Sequence, residues 1–212
     1  MRKPKSTGPV PGTSAPRAHG RRTLLLITSL FLVPVVLGTG LYFAGWRPQG
    51  RALHHGELVQ PAQPLTDVAL RKSDGTESRL TALRGSWTLI TFSHLPCNEA
   101  CRNNLYKMQQ VRLTQGKDAG RVQRVFITQA GSGDLPALAT QYPGLSVFTA
   151  APTELQKITG QFAGRDSKSF GDLERVYLVD PLGNLVLRYN ADADPSGMRK
   201  DLARLLRLSQ IG

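Results

Sequence analysis

The chain holds two cysteines, Cys97 and Cys101, in the run Pro96-Cys97-Asn98-Glu99-Ala100-Cys101. Two cysteines placed at random in a chain of this length would fall four apart about one time in a hundred. Four residues along a helix is a rise of about 6 Å, inside the Cα separation a disulfide accepts, and it puts both sulfurs on one face. Three chemistries fit such a pair. It can cycle between dithiol and disulfide, it can clamp a soft metal such as Cu(I) through two thiolates, or it can stay bridged in an oxidising compartment. A purely structural bridge is the weakest explanation, because so short a closed loop constrains the unfolded chain little.

The pair follows an apolar strand and opens a helix. There the first thiol meets the unpaired N–H groups and the positive end of the helix dipole, which favour a thiolate. Cys97 is therefore the expected nucleophile and Cys101 the resolving thiol. His94, three residues earlier, is a candidate third metal ligand or a tuner of the thiolate, although a histidine so placed is more ordinarily a packed loop residue. His54 and His55 lie in an irregular stretch where they could reach a metal or simply be solvated. His19 belongs to the N-terminal tail, on the far side of the apolar segment, and cannot join them.

The elements that must position the pair are legible from period and punctuation. Strands are expected at Asp67–Lys72, Trp87–Ser93, Val122–Thr128, Ser146–Thr149, Val176–Asp180 and Asn184–Tyr189. Helices are expected from Asn98 to Thr114 and over Leu135–Gln141, Thr153–Phe162 and Pro195–Leu208. Asp180-Pro181-Leu182-Gly183 has Pro and Gly where a type I turn prefers them. In the last helix Met198, Leu202, Leu205 and Leu206 share a face, with Arg199, Lys200, Arg204 and Arg207 around the rest. Strands alternating with helices make an α/β fold with a mixed sheet flanked by helices.

A formal net charge of +12 on 212 residues invites a nucleic-acid reading. Six of the 27 basic residues fall in residues 1–46, which have no acid, and the remaining 21 face 15 acidic side chains. Those 21 are scattered, without the basic run or interleaved aromatics of a strand-tracking groove, so nucleic acid is not an expected partner.

Thr23–Trp46 is 24 residues without a charge. About 20 suffice to cross a hydrocarbon core, and the run exceeds the 7–15 apolar residues of a cleaved signal, so 23–46 is expected to be a transmembrane helix rather than a buried core helix. Tyr42 and Trp46 suit an interfacial belt, and basic residues before the span predict a cytoplasmic N-terminus. Residues 1–22 read as a disordered basic cytoplasmic tail, 47–64 as an irregular tether, and 65–212 as the folded domain.

The stretch Leu80-Thr81-Ala82-Leu83-Arg84-Gly85-Ser86-Trp87-Thr88-Leu89-Ile90-Thr91-Phe92, followed by C-x-x-x-C, resembles the SCO/SenC family, membrane-anchored thioredoxin-like proteins of cytochrome c oxidase assembly. The resemblance continues through Val122–Thr128 and Tyr177-Leu178-Val179-Asp180-Pro181-Leu182-Gly183-Asn184, covering about residues 62–208. It implies a thioredoxin-like fold whose C-x-x-x-C pair and a distant histidine bind copper and help build the binuclear copper site of oxidase subunit II, with thiol reduction of that site as a related activity.

The departures are specific. Asn98 and Arg102 stand where the family has proline after each cysteine, and Asp172 stands at the copper-binding histidine. Gln129-Ala130-Gly131 replaces the Asp-Pro after the middle strand, and Leu173-Glu174-Arg175 supplies no cis-proline of the ordinary thioredoxin kind. A carboxylate at Asp172 or Glu174 is a hard ligand poorly matched to Cu(I), although it could accept a proton from a buried thiol.

The resulting expectation is a thiol–disulfide oxidoreductase of respiratory oxidase biogenesis acting through Cys97 and Cys101, with a protein partner in that assembly. Its setting is a bacterial inner membrane with the domain in the periplasm. The alternatives are a Cu(I) chaperone using Cys97, Cys101 and His94, or a docking accessory whose cysteines are merely bridged.

Overall fold

The computed structural model describes residues 17–43, 54–163 and 173–209. The chain divides into two compact units, Met1–Arg51 and Ala52–Gly212.

In the first unit, helix α1 covers Arg17–Phe43 and contains Pro34. Its stretch Arg21–Leu41 is long and apolar enough to cross a membrane, the one such helix among the described residues. Its large side chains, from Leu24 to Leu41, are exposed, which a helix buried in a core would not show. The expected span begins inside α1, and its last residues, 44–46, lie outside the described residues.

The second unit carries an eight-stranded mixed sheet: β1 (Glu57–Pro64), β2 (Ala69–Lys72), β3 (Glu77–Arg79), β4 (Trp87–Phe92), β5 (Val122–Gln129), β6 (Leu145–Ala150), β7 (Val176–Val179) and β8 (Asn184–Tyr189). The helices are α2 (Glu99–Leu113), α3 (Leu135–Gln141), α4 (Pro152–Phe162) and α5 (Pro195–Leu208). In space the strands run β1-β8-β7-β4-β5-β6-β2-β3. The pairs β4–β5 and β5–β6 are parallel, each joined by a crossover helix, and the other neighbours are antiparallel.

β4 lies mid-sheet, and all six of its residues are buried, as a strand covered on both faces requires. Ile90 and Phe92 point into one core with Val125, Ile127 and the α4 residues Ile158 and Phe162. Leu89 and Trp87 point into the other, against Met108 of α2 and Leu202 of α5. Phe92, Phe162 and Tyr177 meet edge to face, with centroids 5.0, 5.8 and 5.1 Å apart. Each such pair contributes roughly 0.5–1.5 kcal/mol beyond its buried area. Burial pushes the Tyr177 phenol up to about 12.

The β7–β8 turn forms as its residues dictate. Asp180 Oδ1 accepts from the N–H groups of Leu182 and Asn184 at 3.0 and 2.8 Å, and Gly183 takes φ +90°. A Cβ at Gly183 would be strained there and would meet Arg84 Nε at 2.9 Å.

Residues 57–64 are not irregular, as the sequence suggests, but form strand β1 at one edge of the sheet. It pairs with β8 through Glu57↔Arg188 and Leu58↔Leu187, shifts register, and resumes at Gln63↔Leu185. Pro61 falls within that shift, and an edge strand tolerates the missing N–H. Arg188 and Glu57, facing each other, come within 3.5 Å. The short β3 and the 3-10 turn Leu80–Leu83 are likewise absent from the sequence reading.

His55, expected to be solvated or to reach a metal, instead fastens the start of this unit to α5. Its N–H and Nδ1 meet the Asp201 carboxylate at 2.8 and 3.0 Å, Gly56 N–H donates to the same group at 3.2 Å, and the Tyr189 hydroxyl donates at 3.1 Å. Asp201 has a side chain only 3% exposed, on a helix face read from the sequence as apolar. Burial, together with the Asp201 charge, raises the Tyr189 phenol well above its ordinary range.

Candidate functional site

β4 delivers the chain to the site. After Phe92 the buried Ser93 is followed by exposed His94, half-buried Leu95, exposed Pro96 and half-buried Cys97. Asn98 then caps α2: its Oδ1 accepts from the Cys101 N–H at 2.8 Å, satisfying one donor of the first turn. The helix runs Glu99–Leu113, one residue inside the expected bounds at each end.

Cys97 and Cys101 are joined in a disulfide with Cα atoms 5.4 Å apart. Their surroundings differ. Cys101 is 0% exposed, packed in a cluster with Leu105, Phe126, Leu138, Leu145 and Val147. Cys97 sits at the edge of that cluster and opens onto a groove lined by Leu95, Pro96, Arg102, Asp134 and Tyr142. Of the two, Cys97 is the one that borders the groove, so a thiolate attacking there would have Cys101 as its leaving group.

Two charges flank the pair. Arg102 Nη1 donates to the Cys97 carbonyl at 2.6 Å, in a position the SCO/SenC pattern gives to proline. On the other side lies Glu174, just before β7. Glu174 Oε1 accepts from Ser93 Oγ at 2.6 Å, and the Asn98 amide donates to Oε1 and Oε2 at 3.2 and 3.0 Å. The Asn104 amide, one turn beyond Cys101, donates to the Glu174 carbonyl at 3.1 Å. The sequence reading placed Glu174 only as a possible proton acceptor. Its partners Ser93 and Asn98 are 81 and 76 residues away and carry no joint signal in the sequence.

Among the described residues no three of His, Cys, Asp and Glu gather as a metal site would need. The two sulfurs come together, and His94 stays on the exposed loop before them. His54 and His55 belong to the α5 end of the unit, where His55 is held by Asp201. Asp172 lies outside the described residues.

Residues 87–209 match the family described as "Transmembrane-like, thioredoxin-like, C-terminal domain". The chain belongs to that family. The chain is SCO/SenC-like: it is 29% identical over 185 residues to the mouse protein named SCO2 homolog, mitochondrial, covering 80% of this chain and 69% of that one. The bovine SCO2 homolog is 26% identical over 78% of this chain and 65% of its own length. The chain thus spans about two thirds of the length of these relatives.

Among solved structures, copper-bound yeast Sco1 superposes with a TM-score of 0.60 at 20% identity, over 71% of this chain and 96% of that one. Copper-bound Bradyrhizobium japonicum ScoI gives 0.54 at 22% identity, over 66% and 98%. At these identities the likeness is one of fold.

Proposed function

We propose that the chain is a membrane-anchored thiol–disulfide exchange protein of respiratory cytochrome c oxidase biogenesis. The observation that carries this reading is the asymmetry of the disulfide: one sulfur is half-buried beside a groove and the other is fully buried, at the start of the helix that follows the central strand. In the dithiol form the Cys97 thiolate attacks a partner disulfide, forming a mixed disulfide and releasing one partner thiolate. Cys101, losing its proton, then attacks the Cys97 sulfur and expels the second partner thiolate. Two electrons pass to the partner, and the Cys97–Cys101 bond re-forms. SCO kinship supports the assignment to oxidase assembly, and the basic residues before the apolar helix support a cytoplasmic N-terminus with the domain in the periplasm of a bacterium.

A second reading is a Cu(I) chaperone, favoured by the copper-bound solved neighbours. Here copper is cargo, held by the two reduced thiolates of Cys97 and Cys101 with His94 as the third donor to test.

The full chain in detergent separates them. Exchange predicts that Cys101→Ser traps a mixed disulfide through Cys97 with a disulfide-bearing probe. The chaperone reading predicts one-to-one uptake of Cu(I) from a competing chelator by the reduced chain, lost in Cys97→Ser. A reduction potential below about −300 mV with neither behaviour points to a structural bridge. In the host, unchanged oxidase activity after both cysteines are replaced by Ser sinks both readings.

A further inference from the structure

We propose that Glu174 is a positioning residue that holds the Cys97–Cys101 pair toward its disulfide form, an inference that rests on the thiol–disulfide exchange reading. Glu174 touches neither sulfur through any hydrogen bond and acts through Asn98. The Asn98 amide donates both its contacts to the Glu174 carboxylate, at 3.0 and 3.2 Å, and this fixes which way the amide faces. Its oxygen is then turned onto the Cys101 N–H at 2.8 Å. Ser93, at the end of β4, locks the carboxylate from the other side at 2.6 Å.

Two consequences follow for the redox equilibrium. A first-turn N–H that would otherwise help stabilise sulfur-borne charge is already occupied. A carboxylate also sits against Asn98, the residue that follows Cys97, on a half-buried side chain less screened than a surface one. Reduction opens the S–S bond and leaves sulfur that carries negative charge more readily than a disulfide does, so both effects disfavour the reduced form. Arg102, bound to the Cys97 carbonyl, pulls the opposite way. The acidic neighbours Glu99, in the first turn, and Asp134, across the groove, are exposed and more heavily screened.

The test equilibrates the full chain in detergent with defined ratios of reduced and oxidised dithiothreitol, which supplies and accepts the two electrons and two protons, and reads the dithiol fraction by thiol alkylation. Glu174→Gln keeps the size and one acceptor oxygen for Ser93 and Asn98, and removes the charge. It is expected to shift the equilibrium about tenfold toward the dithiol, which corresponds to about 30 mV. Glu174→Asp, which keeps the charge, is expected within about threefold of wild type, and Arg102→Gln is expected to shift the other way.

A Glu174→Gln equilibrium within twofold of wild type overturns the proposal, as does an equal shift in Glu174→Asp. A fall in the melting temperature of the oxidised chain with no change in equilibrium assigns Glu174 a purely structural role and also overturns it. If Cys101→Ser traps no mixed disulfide, the exchange reading falls, and the dithiothreitol ratio still decides the role of Glu174.

Discussion

Asp201 and Glu174 both gather several donors, yet their surroundings give the two carboxylates different work. Asp201, on the buried face of α5, takes two backbone N–H groups, an imidazole and a phenol, all from the chain's entry into the folded unit and from β8. Glu174 is half-buried and takes side-chain donors from β4's end and the α2 cap, next to the disulfide. Donors stranded in a dry pocket have no water to turn to, whereas those at a half-open site do. Burial therefore decides whether a hydrogen-bond cluster is chiefly a stability device or remains free to bias chemistry.

The strongest way to break that contrast is Asp201→Ala. It leaves buried donors without an acceptor and is expected to cost at least about 3 kcal/mol in urea unfolding, while the dithiothreitol equilibrium stays within twofold. A loss under 1 kcal/mol would erase the distinction between the two clusters. Next in size is the alkaline side. The folded phenols of Tyr177 and Tyr189 titrate above their unfolded value, so the stability they contribute is intact below pH 10 and drains away as pH rises towards 12. For Tyr177 the effect is about 2 kcal/mol by pH 12. Melting temperatures from pH 9 to 11.5 should fall more steeply in wild type than in Tyr177→Phe, and parallel curves would refute this.

Asn98→Ala removes the α2 cap and is expected to cost about 1 kcal/mol. Because it also frees the Cys101 N–H, it should move the redox equilibrium in the same direction as Glu174→Gln, and an opposite shift would uncouple Asn98 from Glu174. The smallest effect is expected at His55→Ala. The ring is 50% exposed and the two backbone bonds to Asp201 survive its loss, so melting should reveal about 0.5 kcal/mol or less. A loss as large as that of Asp201→Ala would make the imidazole, rather than the backbone, the anchor.

Periodicity placed the core of the fold well: α3, α5 and β8 fall at Leu135–Gln141, Pro195–Leu208 and Asn184–Tyr189 as expected from the pattern. The apolar run of β4 and the thiol spacing likewise put the pair at a strand-to-helix junction. What stayed hidden has a common cause. ELVQPAQP has two prolines and no alternation, and it becomes β1 only because β8 offers it an edge to pair with. Asp201 looks like an interruption of an apolar helix face until the distant His55, Gly56 and Tyr189 surround it. Glu174, similarly, has no meaning until β7 lies beside β4 and brings it to Ser93 and Asn98. Local pattern reports local structure, and partners separated by dozens of residues enter only through topology.

The docking of β1 against β8 also governs how the folded unit can be cut from its apolar segment. Truncation at residue 65, the boundary the composition suggests, would strip away a whole strand and uncover the β8 backbone over Leu185–Arg188. A bare row of amides and carbonyls beside apolar side chains is a template for strand addition by another molecule. A soluble fragment starting there should self-associate, and one that begins before His55 should keep its own edge covered.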